Sequence, residues 1–301
     1  MRHAALAAAL TFALAGCVTV ADTHDAAETA NQAAVATVVA HDDPPANDTL
    51  NAVAWYQASA ERDLVFTTVY RAASQHLSAA LRDKAWDALP KEDRRVPVKG
   101  LAPAIIVDVD ETVLDNSPAQ VREIVERRGF DEAKWGAWVR EEKARPLAGS
   151  VEFLRDAAKR GVTVFYITNR DLDQTEATIA NLRSAGFPVE RDAQVLAKGA
   201  VVPGCESKGS SKSCRRQLVG RTHRVLMQFG DQVGDLVQID ANTPDGRRAA
   251  VAPYQAWIGE RWFVLPNPMY GSWEPALYDN ERSAPAAQRR AKKEAALDMG
   301  L

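Results

Sequence analysis

An apolar run without polar alternation, residues 104–107, is the feature that most constrains the fold of this chain. Such a run predicts a strand that is buried on both faces of a parallel sheet. Later runs of the same kind cover residues 162–167, 194–196, 224–229 and 262–265. Helical patterns lie between them, and three end at the residue type that commonly follows a helix: Gly161, Gly186 and Gly220. Strands that alternate with helices predict an α/β fold, doubly wound around a mainly parallel sheet.

Helical periodicity also precedes the first strand, after a candidate N-cap at residues 47–49. Apolar side chains recur there at spacings of three and four: Val65, Val69, Ala72, Ala73, Leu77, Ala80 and Leu81. Pro90 and the charged run after it end the pattern. The sequence therefore predicts one domain over residues 49–281 with an added α-helical N-terminal segment. Residues 282–301 hold five basic and two acidic side chains and predict a polar tail or a surface helix.

Composition excludes several classes of protein. A hydrophobic content of 46% with a mean hydropathy of −0.28 excludes collagen, a disordered polymer and a polytopic membrane protein. The net charge of −3 gives no global electrostatic reason to expect nucleic acid as a partner. Five histidines lie scattered and three cysteines fit no zinc-ligand spacing. A metal, if used, is therefore expected to be a hard cation held by carboxylates.

The first residues predict export. A positive start is followed by an uncharged stretch, residues 4–21, so residues 1–16 predict a signal peptide. Residues 14–17, Leu-Ala-Gly-Cys, resemble the bacterial lipobox, which implies that Cys17 is acylated and that residues 17–48 are a lipidated N-terminus and flexible tether. The residue after the cysteine is Val18 rather than Asp, which resembles lipoproteins that are sorted by default to the outer membrane. We therefore expect a lipid-anchored protein of the bacterial cell envelope, in the outer membrane and facing the periplasm. An uncleaved membrane-anchor helix is the alternative.

Export also affects the two remaining cysteines, Cys205 and Cys214. In an oxidising compartment they can form a short-loop disulfide. Two free thiols are the alternative at this stage.

Polar residues follow the predicted strands in chain order. Asp108 and Asp110 follow the first strand, residues 168–170 (Thr-Asn-Arg) follow the second, and Asp231 and Asp235 follow the fourth. Before that fourth strand, a lysine at position 212 begins a predicted helix. Because the carboxyl ends of parallel strands meet at one edge of a sheet, these groups are expected to converge. Three carboxylates with nearby donors suit a magnesium ion and a phosphoryl group.

These motifs resemble the haloacid dehalogenase (HAD) superfamily and, more narrowly, the class C acid phosphatases, the lipoprotein e(P4)-type 5′-nucleotidases. The resemblance covers about residues 54–278 and includes the segments at 107–117, 166–170, 211–216 and 265–274, the last reading Leu-Pro-Asn-Pro-Met-Tyr-Gly-Ser-Trp-Glu. It implies a HAD-like core with small cap insertions. The implied activity is the Mg²⁺-dependent hydrolysis of phosphate monoesters, with 5′-nucleotides as the expected substrates.

The resemblance also implies catalytic roles. Asp108 is the expected nucleophile, which forms an aspartyl-phosphate. Asp110 is the expected general acid and then general base. The expected ligands of Mg²⁺ are a carboxylate oxygen of Asp108, the backbone carbonyl of Asp110 and the side chain of Asp231, with Asp235 as an outer support or further ligand. Thr168 is expected to bind phosphoryl oxygens together with a lysine.

Lys212 is favoured as that lysine because it begins a helix, and Lys198 and Lys208 are its rivals. Asn169 and Arg170 are further candidates for substrate binding. For Arg170, pairing with a carboxylate is an equal alternative. Glu111 and Asp115 are expected to hold the turn after the first strand rather than to contact substrate.

Aromatic side chains are candidates for stacking on a nucleobase. Trp135 and Trp138 are three apart and share a helix face, and Tyr270 follows the last strand. The alternative for each ring is that it only covers the sheet or the N-terminal helix.

The chain departs from the family at residues 119–120, Ala-Gln, where an aromatic residue is usual, and at Gln232, where Asn is usual. These departures affect the expected preference for nucleotides and leave a phosphomonoesterase of broad specificity as an alternative. A non-catalytic surface-binding lipoprotein on the same fold is a separate alternative, against which the intact site residues argue. A two-metal nuclease would need a basic groove, which the sequence does not show.

Overall fold

The computed structural model of the protein describes residues 48–206 and 208–300, so the predicted signal peptide, Cys17 and most of the predicted tether lie outside the described residues. The strands are Ala102–Val107 (β1), Leu114–Asp115 (β2), Arg145–Pro146 (β3), Thr163–Asp171 (β4), Val195–Lys198 (β5), His223–Gly230 (β6) and Trp262–Val264 (β7). The α-helices are Leu50–Ala58 (α1), Ala60–Arg82 (α2), Ser117–Val125 (α3), Glu132–Arg140 (α4), Ser150–Lys159 (α5), Thr175–Ser184 (α6), Ser213–Gly220 (α7), Val233–Leu236 (α8), Pro244–Val251 (α9) and Ala286–Ala295 (α10).

Five strands form one parallel sheet in the order β5-β4-β1-β6-β7. The central strand β1 ends at Val107, which pairs with Tyr166 of β4 on one side and with Phe229 of β6 on the other. Because neighbouring strands are parallel, their carboxyl ends lie at the same edge of the sheet. The predicted parallel α/β sheet is confirmed, and the motif residues that follow its strands share one edge.

Both faces of the sheet are covered. Ile105 and Val107 of β1 belong to one buried apolar cluster, and Ala104 and Ile106 belong to a second. Since successive side chains of a strand point to opposite faces, the two clusters lie on opposite sides of the sheet. This arrangement explains the absence of polar alternation in β1.

The N-terminal segment contains two helices, not the single continuous pattern that the sequence predicts. The extended backbone of Ser59 ends α1, and its hydroxyl accepts a hydrogen bond from the Arg62 N–H (3.3 Å), which caps α2. Helix α2 ends at Arg82, well before Pro90. Its buried stripe is Phe66, Tyr70, Ala73, Leu77 and Ala80. Val65 of the predicted stripe is exposed, since the larger rings take the inward face.

Helix α2 supports the edge of the sheet where the motif residues lie. The Tyr70 ring stacks on Phe229 with centroids 5.4 Å apart, and its hydroxyl donates to the Thr112 carbonyl (2.7 Å). Arg62 pairs with Asp115 (3.1 Å). Helix α2 therefore fixes the loop after β1 through a hydrogen bond to Thr112 and an ion pair with Asp115.

A small insertion separates β1 from β4. It contains α3 and α4, and its ends meet in a short antiparallel ladder that pairs Leu114 with Pro146 and Asp115 with Arg145. This insertion is the small cap element expected from the resemblance.

The C-terminal helix α10 lies on the surface beside the start of the described chain. Arg290 and Lys293 pair with Asp48 at 2.9 and 3.2 Å, and Lys293 also pairs with Glu274 (3.2 Å). Among the described residues, no helix is both long and apolar enough to cross a membrane.

Candidate active site

The loop after β1 presents two carboxylates at the edge of the sheet. It turns at Glu111, which has a left-handed backbone (φ +53°) that is uncommon outside glycine. The Glu111 carboxylate accepts the Asn116 N–H (2.7 Å), and the Asp115 carboxylate accepts the Ser117 N–H (3.0 Å). Both side chains hold the turn, as the sequence predicts.

Lys212 lies between two of the predicted site carboxylates. Its Nζ contacts an oxygen of Asp108 at 2.5 Å and an oxygen of Asp235 at 2.7 Å, and all three side chains are buried. Burial alone would lower the pKa of Lys212, but the two carboxylates outweigh it and raise that pKa. The lysine therefore remains charged at the edge of the sheet.

The rival lysines lie elsewhere. Lys198 pairs with Asp171 (2.9 Å), and Lys208 is exposed on the loop before α7. Of the three candidates, only Lys212 contacts Asp108.

A third carboxylate, that of Asp231, lies close to the two that contact this lysine. One oxygen each of Asp108, Asp231 and Asp235 lies within 4.8 Å of the others. Burial raises the pKa of Asp108 to about 7; Lys212 opposes that rise, and the charges of Asp235 and Asp110 add to it. Burial, together with the charges of Asp235 and Asp108, also holds the pKa of Asp231 well above its usual range. A cluster of carboxylates that disfavours its own charge is a suitable site for a divalent cation.

The β6–α8 loop holds two of these carboxylates in place. Asp231 accepts hydrogen bonds from the side-chain amides of Gln232 and Asn267, both at 2.8 Å. Asp235 accepts the Gln232 N–H (2.8 Å). A side chain at Gly230 would overlap Asp235, so only glycine allows the strand to pass so closely.

Asp110 has a different set of partners. One of its oxygens accepts from Arg170 Nε (3.0 Å), Arg170 Nη2 (2.8 Å) and Asn116 Nδ2 (2.8 Å). The other oxygen has longer contacts, to Thr168 Oγ1 (3.4 Å) and Arg170 Nε (3.3 Å). Since the Arg170 side chain is only 1% exposed, it pairs with a carboxylate rather than presenting itself to substrate.

Helix α7 is attached to the end of β4. Arg215 donates to the Asn169 side chain (2.7 Å) and to the Thr168 carbonyl, and burial lowers the pKa of Arg215 to about 10. Thr168 is buried, whereas Asn169 is exposed at the strand end. Arg215 therefore attaches the first turn of α7 to the end of β4, where the predicted substrate-binding residues Thr168 and Asn169 lie.

Comparison with known proteins identifies the family. Residues 14–273 match the family model described as HAD superfamily, subfamily IIIB (acid phosphatase). The class C acid phosphatase from Bacillus anthracis, solved with tungstate bound, is 33% identical and superposes with a TM-score of 0.71, over 83% of this chain and 96% of that one. The chain belongs to the class C acid phosphatases of the HAD superfamily.

Curated plant relatives are more distant. Acid phosphatase 1 from Solanum lycopersicum is 28% identical over 165 residues, which are 55% of this chain and 57% of that protein. The stem 31 kDa glycoprotein from Glycine max is 27% identical over 165 residues, or 58% of its length. The match therefore spans less than two thirds of either plant protein.

The aromatic residues of this class C phosphatase differ in their availability. Trp138 is 5% exposed and donates its Nε1–H to Asn116 (2.8 Å), which favours the alternative that this ring packs within the protein over stacking on substrate. Its ring belongs to the larger buried apolar cluster, and the hydrogen bond to Asn116 satisfies the indole N–H there. Trp135 is partly buried, with its ring 5.7 Å from the Arg170 guanidinium, and Tyr270 is also partly buried.

Sequence reasoning missed two amides that organise the class C site. Asn116 connects Asp110, Arg170 and Trp138, and Asn267 donates to Asp231. Both lie in segments that carry the family resemblance, which was the available signal, but their partners become evident only in three dimensions.

A disulfide closes the loop before α7. Cys205 is bonded to Cys214, with Cα atoms 5.6 Å apart. Cys214 lies in the first turn of α7, two residues after Lys212, so the bond attaches the loop to the helix that carries the lysine.

Proposed function

We propose that this protein is a Mg²⁺-dependent acid phosphatase that hydrolyses phosphate monoesters through an aspartyl-phosphate on Asp108. The observation that carries the proposal is the convergence of Asp108, Asp110, Thr168 and Lys212 at one edge of the sheet. A nucleophile, an acid and phosphoryl-binding donors there satisfy the requirements of phosphoryl transfer.

The first chemical step transfers the phosphoryl group to the protein. A carboxylate oxygen of Asp108 attacks phosphorus, the bond from phosphorus to the ester oxygen breaks, and Asp110 gives its proton to that leaving oxygen. The Lys212 ammonium, 2.5 Å from Asp108, is placed to hold a phosphoryl oxygen beside the nucleophile.

The second step restores the nucleophile. Asp110, now a carboxylate, takes a proton from a water molecule whose oxygen attacks phosphorus. The bond from phosphorus to Asp108 breaks, and inorganic phosphate leaves. The fixed contacts of Asp110 with Arg170 and Asn116 keep its carboxylate in place for both proton transfers.

The chemistry of the carboxylate cluster fits Mg²⁺. Asp108, Asp231 and Asp235 offer only oxygen ligands, which Mg²⁺ prefers, and burial and mutual repulsion raise the pKa of Asp108 and of Asp231. Asp108 and Asp231 would hold the ion with the Asp110 carbonyl, and Asp235 would support them. When bound, the ion neutralises charge between the nucleophile and an anionic substrate.

We further propose 5′-nucleotides as the substrate class. Tyr270 and Trp135, both partly exposed and close to the site residues, support a stacking wall for a base.

One observation favours broad specificity as the second candidate. Trp138 is buried, and Ala119 and Gln120 are also buried where the family usually has an aromatic residue. An incomplete aromatic slot binds many leaving groups about equally well.

The deciding experiment measures phosphate release by the purified protein from 5′-AMP, 3′-AMP, nicotinamide mononucleotide and p-nitrophenyl phosphate, with Mg²⁺ and with EDTA. Asp108→Asn is the blank. We expect release that depends on Mg²⁺ and favours the 5′-nucleotides. Equal rates would support the broad phosphomonoesterase, full activity in EDTA would contradict the metal, and no release would support the non-catalytic lipoprotein.

We also propose that acylated Cys17 anchors the protein at the outer membrane, facing the periplasm. The lipobox-like residues 14–17 support this location. Membrane fractionation tests it: Cys17→Ala is expected to appear in the soluble periplasmic fraction, and a variant that remains with membranes would support an anchor helix instead.

A further inference from the structure

A buried aspartate outside every recognised motif lies behind the lysine of the site. Asp93 belongs to the segment between α2 and β1, is 1% exposed, and accepts hydrogen bonds from three side chains of α7. These are the Ser213 hydroxyl, Arg216 Nε (2.6 Å) and Gln217 Nε2 (3.4 Å). Asp93 therefore binds the helix turn that begins directly after Lys212.

Arg216 connects the same helix to the opposite side of the site. Its side chain is fully buried, and its Nη1 donates to the backbone carbonyls of Gly234 and Asp235, both at 3.0 Å. The guanidinium fork can contact Asp93 and these carbonyls at once, because its donors point in fixed and different directions.

These contacts form a closed ring. Lys212 Nζ contacts the Asp235 side chain (2.7 Å), the Asp235 carbonyl accepts from Arg216, Arg216 pairs with Asp93, and Asp93 accepts from Ser213, the neighbour of Lys212. The ring fixes both the start of α7 and the backbone that carries Asp235.

We propose that Asp93 and Arg216 are a positioning pair that fixes the Lys212 ammonium at the phosphoryl-binding site. The inference rests on the proposed function, in which Lys212 binds phosphoryl oxygens. Attraction between Lys212 and the site carboxylates has no preferred direction, and the lysine stem is flexible. Since charge alone does not set the position of the ammonium, the anchored first turn of α7 sets it.

The chain contains a matched control at the other end of the same helix. Asp87 pairs with Arg94 through two contacts of 2.7 Å, and Arg94 donates to the carbonyl of Gly220, the last residue of α7. Asp87 comes from the same segment as Asp93 and makes the same kind of ion pair. It lies far from Lys212 along the helix, so its loss should affect stability without moving the ammonium.

The experiment compares Asp93→Asn with Asp87→Asn, well below the unfolding temperature of each. Calorimetry measures the affinity for inorganic phosphate in the presence of Mg²⁺, and steady-state kinetics measure KM and kcat for p-nitrophenyl phosphate. We expect both variants to have a lower Tm. Only Asp93→Asn is expected to weaken phosphate binding and raise KM, each about tenfold, with a smaller change in kcat, because Lys212 binds the phosphoryl group before and during the reaction.

A phosphate affinity of Asp93→Asn equal to that of Asp87→Asn would overturn the proposal. If Asp93→Asn does not fold, Arg216→Lys decides: it keeps a positive charge beside Asp93 but lacks the guanidinium fork that contacts Asp93 and the carbonyls of Gly234 and Asp235 at once, and unchanged phosphate affinity would overturn the proposal equally. The calorimetric result is independent of turnover. A wild-type protein that binds phosphate but hydrolyses no ester would therefore contradict the proposed function and leave the positioning pair supported.

Discussion

Asp108 and Asp110 are two residues apart on one loop, yet they lie in opposite surroundings. Asp108 faces other carboxylates, and its lysine partner is shared with Asp235. Asp110 faces hydrogen-bond donors: the guanidinium of Arg170, whose side chain is 1% exposed, and the side-chain amide of Asn116. The difference arises because β1 is central, so the loop after it meets α7 and the β6 loop on one side and β4 and the cap on the other.

This contrast is consistent with the two different roles that we propose for the aspartates of one Asp-x-Asp motif. A carboxylate among like charges needs a cation beside it, and Asp108 has one in the Lys212 ammonium. A carboxylate held by several donors has a fixed orientation, which a proton-transfer group needs. The Asp-x-Asp spacing does not distinguish Asp108 from Asp110. The contacts that the neighbouring strands and their loops provide make the surroundings of the two carboxylates different.

The largest expected effect on kcat is at Asp108, the aspartate that lies among other carboxylates. Asp108→Asn should lower kcat for every monoester by about 10⁴-fold or more, because it removes the proposed nucleophile. Stopped assays of phosphate release check this, with circular dichroism to show that the variant is folded. Activity at the wild-type level would remove Asp108 from its proposed role.

Asp110→Asn tests the aspartate that is surrounded by hydrogen-bond donors, by comparing substrates whose leaving groups differ in their need for a proton. We expect kcat to fall by about 10²–10⁴-fold for 5′-AMP, whose alkoxide needs a proton, and clearly less for p-nitrophenyl phosphate. The ratio of the two rates is the measurement. Equal losses on both substrates would mean that Asp110 does not act as the acid.

Mg²⁺ should stabilise the protein against thermal unfolding through the carboxylate cluster around Asp108. At about 100 times its Kd, Mg²⁺ should raise Tm by roughly 5–10 °C, because it relieves repulsion within the carboxylate cluster. Asp231→Asn should abolish most of this shift. The control is Asp245→Asn, an exposed carboxylate with 93% of its side chain accessible, which should keep the full shift. A full shift in both variants would place the cation elsewhere.

The smallest expected effect concerns the bonds around Asn116. Trp138→Phe removes the indole donor to Asn116 and should cost about 1 kcal/mol of unfolding free energy. Trp135→Phe is the matched control, because that ring contacts Arg170 through its face. Denaturant unfolding of both variants measures the difference, and equal stabilities would contradict a specific role for the Trp138 hydrogen bond.

The fold was predictable because its signals are local. Buried strands lack alternation, Gly161 and Gly186 follow helices, and carboxylates follow strands, so the sequence predicted the sheet and the edge where Asp108, Asp231 and Lys212 meet. The third glycine, Gly220, is the last residue of α7 instead of the residue after it. One prediction was wrong where burial decides between neighbours: Phe66, not Val65, lies on the inward face of α2. For Trp138 the sequence left stacking and packing open, and the structure buries its ring beside Asn116.

Long-range polar pairs could not be predicted from the sequence. Asp93 and Arg216 are 123 positions apart, and a lone aspartate in a charged run has no pattern that distinguishes it from a solvated one. Only the parallel sheet, by placing α7 against the segment before β1, brings them together. Arg170 is similar, since its two alternative roles differ only in the direction of its side chain.

The close passage of Gly230 beside Asp235 has a consequence for variation. A library that randomises both positions should retain glycine at 230 wherever an acidic residue is kept at 235, although no atom of Gly230 has a part in the reaction. Homologous chains that replaced this glycine would need a shorter residue at position 235 and would lose the carboxylate that contacts the Lys212 ammonium. Residues 230 and 235 should therefore covary among homologous chains.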